Sequence, residues 1–305
     1  MTQFVMNRSK LWSRKSKEDK IFDLINLLFL TTLSLVVIYP LYFIIIASIS
    51  NPDSVYNGDV WFWPKGVTFE GYERIFQDNR IWTGYKNTVL YTVVGTLVNV
   101  TLTLMAAYAL SRKDLVGRNF FMILFVFTMF FSGGLIPTYL VVKNLGMVDT
   151  MWALIIPKAV AVWNLIVART FFQSTIPDEL LESAKMDGCS NTKFFLKIVL
   201  PLSKPIIAVM VLFYAVTHWN SFFDALIYLN NEDKYPLQLI LRSILIQNEA
   251  SASMVGDVES FAAQQRIADL IKYGVIIVAA IPLLILYPFI QKYFVKGALI
   301  GSIKG

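Results

Sequence analysis

Between Ile21 and Ser50 the chain reads IFDLINLLFLTTLSLVVIYPLYFIIIASIS, and no charge follows Asp23 within it. A helix that crosses a bilayer needs roughly 20 mainly apolar residues. A run longer than that has no place in a small soluble core. Five further stretches share the character: 87–110, 119–143, 150–173, 205–230 and 268–290. Each is bounded by charges or turn residues. The composition agrees, since 56% of the 305 residues are hydrophobic and 16% charged, against ~45–50% and ~25% in ordinary soluble domains. The expected fold class is an all-α polytopic membrane protein with six transmembrane helices surrounded by lipid.

The first run is too long for the 7–15 residue apolar region of a typical signal peptide, and no A-x-A-like site follows it. It is expected to stay as a helix, with Asp23 at the interface and a kink at Pro40. Lys and Arg are unevenly shared between the loops. Sixteen lie in the N-terminal tail, 111–118, 174–204 and the stretch from 291 on, and six lie in 50–85 and 231–267. The positive-inside rule puts both termini in the cytoplasm. The basic tail adjoins a span, which argues for a membrane surface and against nucleic acid.

Several chemistries are excluded. One cysteine, Cys189, and one histidine, His218, rule out a disulfide framework, thiolate clusters and multi-histidine metal sites. There is no G-x-x-x-x-G-K-[ST], G-x-S-x-G or H-E-x-x-H motif, so this chain is expected to bind no cofactor and catalyse nothing itself. Within the second span, Gly95, Asn99, Thr103 and Ala106 form a small and polar stripe. Such stripes are packing seams more often than solute paths. Asn87 and Thr88 suit an N-cap there. Gly133, Gly134 and Pro137 break the third span near its outer end, as a hinge, a cavity edge or a simple helix end.

The fifth span carries His218, Trp219, Asn220 and Asp224. A carboxylate facing lipid at the bilayer centre costs ~2.5–3.5 kcal/mol or more, so Asp224 faces protein, water or the outer interface. Asn220 and Asp224 are four apart and are expected on one helix face. They either line a solute path or make interhelix hydrogen bonds. Lys158, Asn164 and Arg169 in the fourth span pose the same choice, with Arg169 reaching for the cytoplasmic face.

The loop between spans four and five reads IPDELLESAKMDGCSNTKFFLKIVLP from Ile176 to Pro201. Pro177 suits a first helical turn, and Asp178 and Glu179 complement the helix dipole there. Leu180, Leu181 and Ala184 form an apolar stripe. Gly188 falls where a left-handed cap stops the helix, and Ser190 or Thr192 starts a second one that ends at Pro201. A short helix–turn–helix along the cytoplasmic surface is expected, and a docked partner explains its stripe and turn.

Glu182-Ser183-Ala184, Asp187-Gly188, Ile198 and Leu200-Pro201 resemble the E-A-A-x-x-x-G … I-x-L-P motif of ABC-importer permeases, with Ser183 in place of the usual alanine. FFSGGLIPTYLVVKNLG (130–146) and YFVKGALIGSIKG (293–305) resemble the carbohydrate-uptake branch that serves complex oligosaccharides in Gram-positive bacteria. The resemblance covers essentially the whole chain and is to the smaller membrane subunit of the maltose importer type.

That resemblance implies a type I importer permease fold. Its parts are a basic tail 1–20, a first helix 21–49, an extracellular segment 50–86, a permease core 87–296 and a cytoplasmic tail 297–305. The implied partners are a homologous second permease subunit, two ATPase subunits that bind ATP and Mg, an extracellular solute-binding lipoprotein, and a carbohydrate. Glu182, Ser183, Ala184, Asp187, Gly188, Ile198 and Pro201 belong to the ATPase-coupling loop 174–204. Gly301, Ser302, Lys304 and Gly305 reach the ATPases, the loop 231–267 meets the binding protein, and Asn164, Trp219, Asn220 and Asp224 are candidates for the path. The motif is shared across importers, so a permease for peptides or another solute is the first rival. An ion-coupled transporter is the second, but the inverted repeats and several intramembrane acids it calls for are not evident in the sequence. A membrane scaffold or sensor is the third; it needs no Asn220 and Asp224 inside a span.

Overall fold

The computed structural model describes residues 16–253, 268, 271–285 and 288. The described residues hold helices and no strand. The helices that position the site are α1 (Lys17–Ser48), α2 (Asn79–Ser111), α3 (Arg118–Phe130), α4 (Leu135–Asn144), α5 (Trp152–Ile155), α6 (Val162–Thr175), α7 (Asp178–Met186), α8 (Asn191–Phe194), α9 (Lys204–Trp219), α10 (Phe223–Tyr228), α11 (Leu237–Ser253) and α12 (Ile271–Ile285). Two compact units form. One contains residues 16–73, 268 and 271–277, and the other contains residues 74–253, 278–285 and 288.

In the first unit, Ser16 caps α1 by accepting the Asp19 N–H (3.1 Å), with Glu18 and Asp19 in the first turn. The helix runs on through Pro40. Its apolar side chains point outward all round, Leu28, Phe29, Leu35 and Val36 among them. A helix apolar on every side is covered by lipid or by other protein. Its far end is fixed from the following segment: the Tyr72 hydroxyl donates to Ser48 Oγ (2.8 Å), and the Tyr39 hydroxyl donates to the Trp61 carbonyl (3.2 Å).

The second unit is built around α2. This helix begins eight residues before the expected start at 87, because Asp78 accepts the Arg80 N–H (2.9 Å) and caps it there. Asn87 and Thr88 have another task. The Asn87 amide donates to the Asp233 carbonyl (2.7 Å), and Thr88 Oγ1 accepts the Leu237 N–H (2.8 Å). Helices α6 and α9 pack along α2 over a core that includes Leu104, Ala107, Leu165, Phe172, Met210 and Tyr214. The small stripe is a packing seam, as its composition favours. Gly95 lies under the His218 ring, Asn99 Nδ2 is 3.1 Å from His218 Nε2, and Thr103 Oγ1 is 2.6 Å from the Tyr214 hydroxyl.

Helices α1 and α2 are each long and apolar enough to cross a membrane, and up to five such spans result when each bent pair counts as one. The third expected span is interrupted at 131–134, where Gly134 takes φ +84°, and α3 and α4 meet at 116°. The fourth is bent by 54° between Trp152–Lys158 and α6. The expected sixth span, 268–290, coincides with α12 but extends beyond the described residues.

Two expectations are corrected. The stretch 231–267 is not loop throughout: α11 occupies Leu237–Ser253 and buries Leu237, Leu239, Ile240, Leu241 and Ile244. Its apolar positions recur at helical spacing, but the run is too short to span a bilayer. Residues 254–267 lie outside the description. Likewise, Asn220 and Asp224 do not share a helix: Asn220 caps the end of α9 and Asp224 lies in α10.

The turn before α5 anchors the start of this region. Asp149 sits at φ +59°, which Asp tolerates better than most residues. Its Oδ1 accepts the Asn230 and Asn231 N–H groups (3.0 and 3.1 Å), and Lys234 Nζ meets its Oδ2 at 2.5 Å. The Lys234 ammonium, with the two backbone donors, pulls the carboxyl down to about 2. A free Asp titrates near ~3.9, so the depressed group contributes fully above that pH and is lost as pH falls through 2. Asp149→Ala should therefore speed hydrogen exchange at the Asn230 and Asn231 amides equally at pH 5 and pH 8. A difference that grows between those two values would contradict the assignment.

Candidate functional site

Two sites emerge in the second unit, a cavity between broken helices and a helical hairpin after α6. The cavity forms where α9 stops. Asn220 caps its end, with its N–H on the Val216 carbonyl (3.1 Å) and its side-chain amide on the same carbonyl (2.9 Å). The chain then breaks for three residues before α10 begins with Phe223 and Asp224. An asparagine that closes a helix over its own last turn ends the periodicity, so the spacing of four does not put Asn220 and Asp224 on one face.

The break still brings polar groups together. A cavity of about 580 Å³ is lined by Asn99, Lys158, Asn164, Tyr214, His218, Asn220, Ser221 and Asp224, with Phe222 and Phe223 at its wall. Three of the four path candidates, Asn164, Asn220 and Asp224, line it. Trp219 does not; it is buried, donates to the Ala279 carbonyl (3.0 Å) and lies against Tyr85. Interrupted backbone at membrane depth persists where it is buried in protein or lines a cavity. Here the Ala161 N–H, freed by the bend in the fourth span, donates to the Tyr214 hydroxyl (3.0 Å).

Sequence reasoning weighed Lys158 and Asp224 separately and did not pair them. In the structure both carboxylate oxygens accept from the lysine ammonium, at 2.8 and 2.7 Å. Lys158 ends the first half of one bent span, and Asp224 lies in the first turn of α10, just beyond the break that ends α9. Opposite charges in two neighbouring apolar segments were the available signal, because each alone carries a large insertion cost. Arg169 does not simply reach outward. Its Nε donates to the Leu110 carbonyl (2.9 Å), which satisfies an end of α2.

The hairpin is built as its sequence suggests. Asp178 and Glu179 lie in the first turn of α7, and Asp178 meets Lys113 at 2.5 Å. The helix closes with a Schellman motif. The Cys189 N–H donates to the Ala184 carbonyl (2.9 Å), and the Gly188 N–H to the Lys185 carbonyl (3.0 Å), with Gly188 at φ +72°. Ser190 Oγ accepts the Lys193 N–H (3.3 Å) and starts α8. That helix passes through a π turn at Phe195–Val199 to Leu200–Leu202, and the chain bends by 83° into α9. Ala184 is 8% exposed and packs into the main core, whereas Glu182, Ser183, Asp187, Gly188 and Pro201 are exposed and Ile198 half-buried. Ala184 thus seats the hairpin on its own subunit.

Arg112 is a further residue that the sequence reading did not single out. Its guanidinium donates to Asp114 (2.5 and 2.8 Å) and to Asn191 Oδ1 (2.9 Å), and it lies over the Tyr108 ring, which stacks on Phe195. The same guanidinium holds the Asp114 carboxyl well below the usual carboxylate range. One side chain therefore ties the end of α2 to α8. A Tyr four residues before and an Asp two residues after were its only sequence signal. The tail residues Gly301, Ser302, Lys304 and Gly305 lie outside the described residues.

Comparisons with known proteins agree with this layout. YtcP, the polygalacturonan/rhamnogalacturonan transport system permease protein of Bacillus subtilis (strain 168), is 45% identical over 289 residues, which cover 94% of this chain and 100% of that protein. The protein LplC of the same organism is 44% identical over 290 residues, covering 95% and 97%. A bacterial ABC transporter involved in the import of the acidic polysaccharide alginate contains a chain of similar structure. The TM-score is 0.81 at 33% identity, covering 92% of this chain and 99% of that one. The family described as binding-protein-dependent transport system inner membrane component matches residues 12–300. With its bent spans and exposed hairpin, this chain belongs to that family of ABC-transport permeases.

Proposed function

We propose that this chain is one of two permease subunits of an ATP-driven importer that takes up an oligosaccharide by alternating access. The reading comprises six spans with both termini in the cytoplasm, in the plasma membrane of a Gram-positive bacterium. A homologous permease completes the path, two ATPase subunits dock beneath, and an extracellular lipoprotein delivers the sugar. ATP and Mg belong to the ATPases, and this chain does no chemistry. The hairpin carries the proposal. Its α7 is held to its own subunit by Ala184 and by the Lys113–Asp178 pair, while Glu182, Ser183 and Asp187 stay exposed. A partner that grips the exposed face moves the spans with it, because Ile198 and Pro201 lie on the helical turns that lead from the hairpin, through one bend at Ser203, directly into α9. The tail Gly301–Gly305 completes the contact with the ATPases. The polygalacturonan/rhamnogalacturonan named for YtcP and the acidic polysaccharide alginate named for the structural neighbour suggest the expected cargo class.

Co-purification of the tagged chain from its native membrane tests the composition. A second permease and an ATPase should accompany it; recovery of this chain alone, transporting without ATP, would overturn the proposal. The hairpin makes a sharper prediction. A Cβ on Gly188 meets no atom within 4 Å, so replacement there acts through backbone alone, at about 1–2 kcal/mol for a left-handed residue. Gly188→Ala should reduce sugar uptake severalfold at normal membrane levels, and Gly188→Asn, which visits that region more readily, should reduce it less. Equal, full uptake by both variants would remove the turn from the coupling path.

A further inference from the structure

The charged pair in the cavity wall has an arrangement that holding two helices together does not explain. A structural ion pair gains most when both members are shielded and their remaining hydrogen-bonding capacity is filled by protein. Here the cation is the open member: the Lys158 side chain is 62% exposed and that of Asp224 20%. Both hydrogen bonds of the ammonium go to Asp224. The surroundings are also unfinished. Asn99 is 2% exposed and lines the cavity, yet its Oδ1 has no partner among the described residues, and neither does Ser221 Oγ. The guanidinium of Arg242 sits over the Phe222 ring, 4.8 Å from its centroid, which puts a second cation behind an aromatic wall of the same cavity.

We propose that Lys158 reads a carboxylate on the transported oligosaccharide, which displaces Asp224 from the ammonium as the sugar passes, so that the cavity selects acidic over neutral cargo. This rests on the importer reading above and assigns the residue of its path that tells acidic from neutral cargo. Exchange of one carboxylate for another keeps the ammonium paired throughout, and Asp224 is left to the water that accompanies the sugar. A neutral sugar that parts them offers the ammonium only neutral hydrogen bonds, about half as strong as charge-assisted ones. The Asn164 and Asn220 amides that line the cavity suit the hydroxyls of a sugar ring, and the aromatic wall suits its apolar face.

The test uses the whole complex, with both permeases, the ATPases and the binding protein, in liposomes. Its cargo is a uronate oligosaccharide or the methyl ester of the same sugar, delivered at saturating binding protein. Because the binding protein is unchanged, a shift in the acid-to-ester uptake ratio between variants reports the permease. Lys158→Gln should lower that ratio about tenfold, the loss expected when a charge-assisted hydrogen bond becomes a neutral one. Asp224→Asn, which removes the competitor, should lower the KM for the acid and leave the ratio at or above wild type. Two results would overturn the proposal. One is loss of acid and ester uptake in equal proportion in both variants, the mark of a strut. The other is unaltered uptake of both cargoes by Lys158→Gln. If the wild-type complex moves no sugar with ATP, the importer reading fails first and this inference with it. Co-purification of the variant complexes separates these results from misassembly.

Discussion

Gly95→Val is expected to lower the melting temperature of the protein by about 6–12 °C. A Cβ at this position lies 2.5 Å from Nε2 and 2.6 Å from Cε1 of His218, closer than any non-bonded contact allows. The ring, 5% exposed, can retreat only toward the cavity that it lines, and doing so breaks the contact of its Nε2 with the Asn99 amide. Relief therefore costs either that buried contact or a separation of α2 and α9, the main helix pair of this unit. Overpacking a tight core costs about 1–3 kcal/mol for added methylenes, and valine brings three carbons, so the upper end applies. In a unit of this size, 3 kcal/mol lowers the melting temperature by about 6–12 °C. Thermal unfolding of the detergent-solubilised variant measures it. The cause is checked by Gly95→Val with His218→Ala, which opens the space: the double variant should recover much of the loss, a strong coupling between the two sites. A melting temperature within a degree of wild type would place the two helices farther apart than described.

Ala184→Asp should abolish sugar uptake although the chain still inserts. Ala184 is the residue through which α7 seats in the core, close to Phe194 and the α6 face. A carboxylate there is buried without a partner, at a cost of about 3–5 kcal/mol, which the hairpin avoids by leaving its seat. On the proposed reading, an unseated hairpin still offers Glu182 to the ATPase but no longer transmits its motion. The expected signature is hydrolysis that no longer rises with loaded binding protein, together with uptake reduced more than tenfold. Ala184→Ser, which adds one hydroxyl to a small side chain, should keep most of both. Normal stimulated hydrolysis in Ala184→Asp would show that the seat is not part of the coupling path.

The hairpin was legible because each of its punctuating residues acts locally. Pro177 opens a helix, Gly188 supplies a left-handed φ, and Ser190 caps the next helix; none depends on distant sequence. The long apolar helices were legible as apolar runs for the same reason, with boundaries set by caps such as Asp78 that a hydropathy reading passes over. Other features depended on the meeting of segments far apart in sequence. Lys158 and Asp224 come from two spans, and no spacing rule joins residues 66 positions apart. Asn220 was assigned to a continuous helix because period counting carries on across a break, although its side chain ends that helix. Helix α11 was hidden inside a segment judged by its whole length. The need for glycine at 95 was visible only as smallness in a stripe; the His218 ring that fills the space belongs to another span.

The most direct test of the account is uptake by the purified complex in proteoliposomes, with oligosaccharide-loaded binding protein on one side and ATP on the ATPase side. The account predicts accumulation of sugar that requires ATP hydrolysis and the binding protein together. It further predicts that Gly188→Ala lowers accumulation while the assembled complex still binds nucleotide. Accumulation driven by an ion gradient without ATP, or by this chain alone, would contradict it.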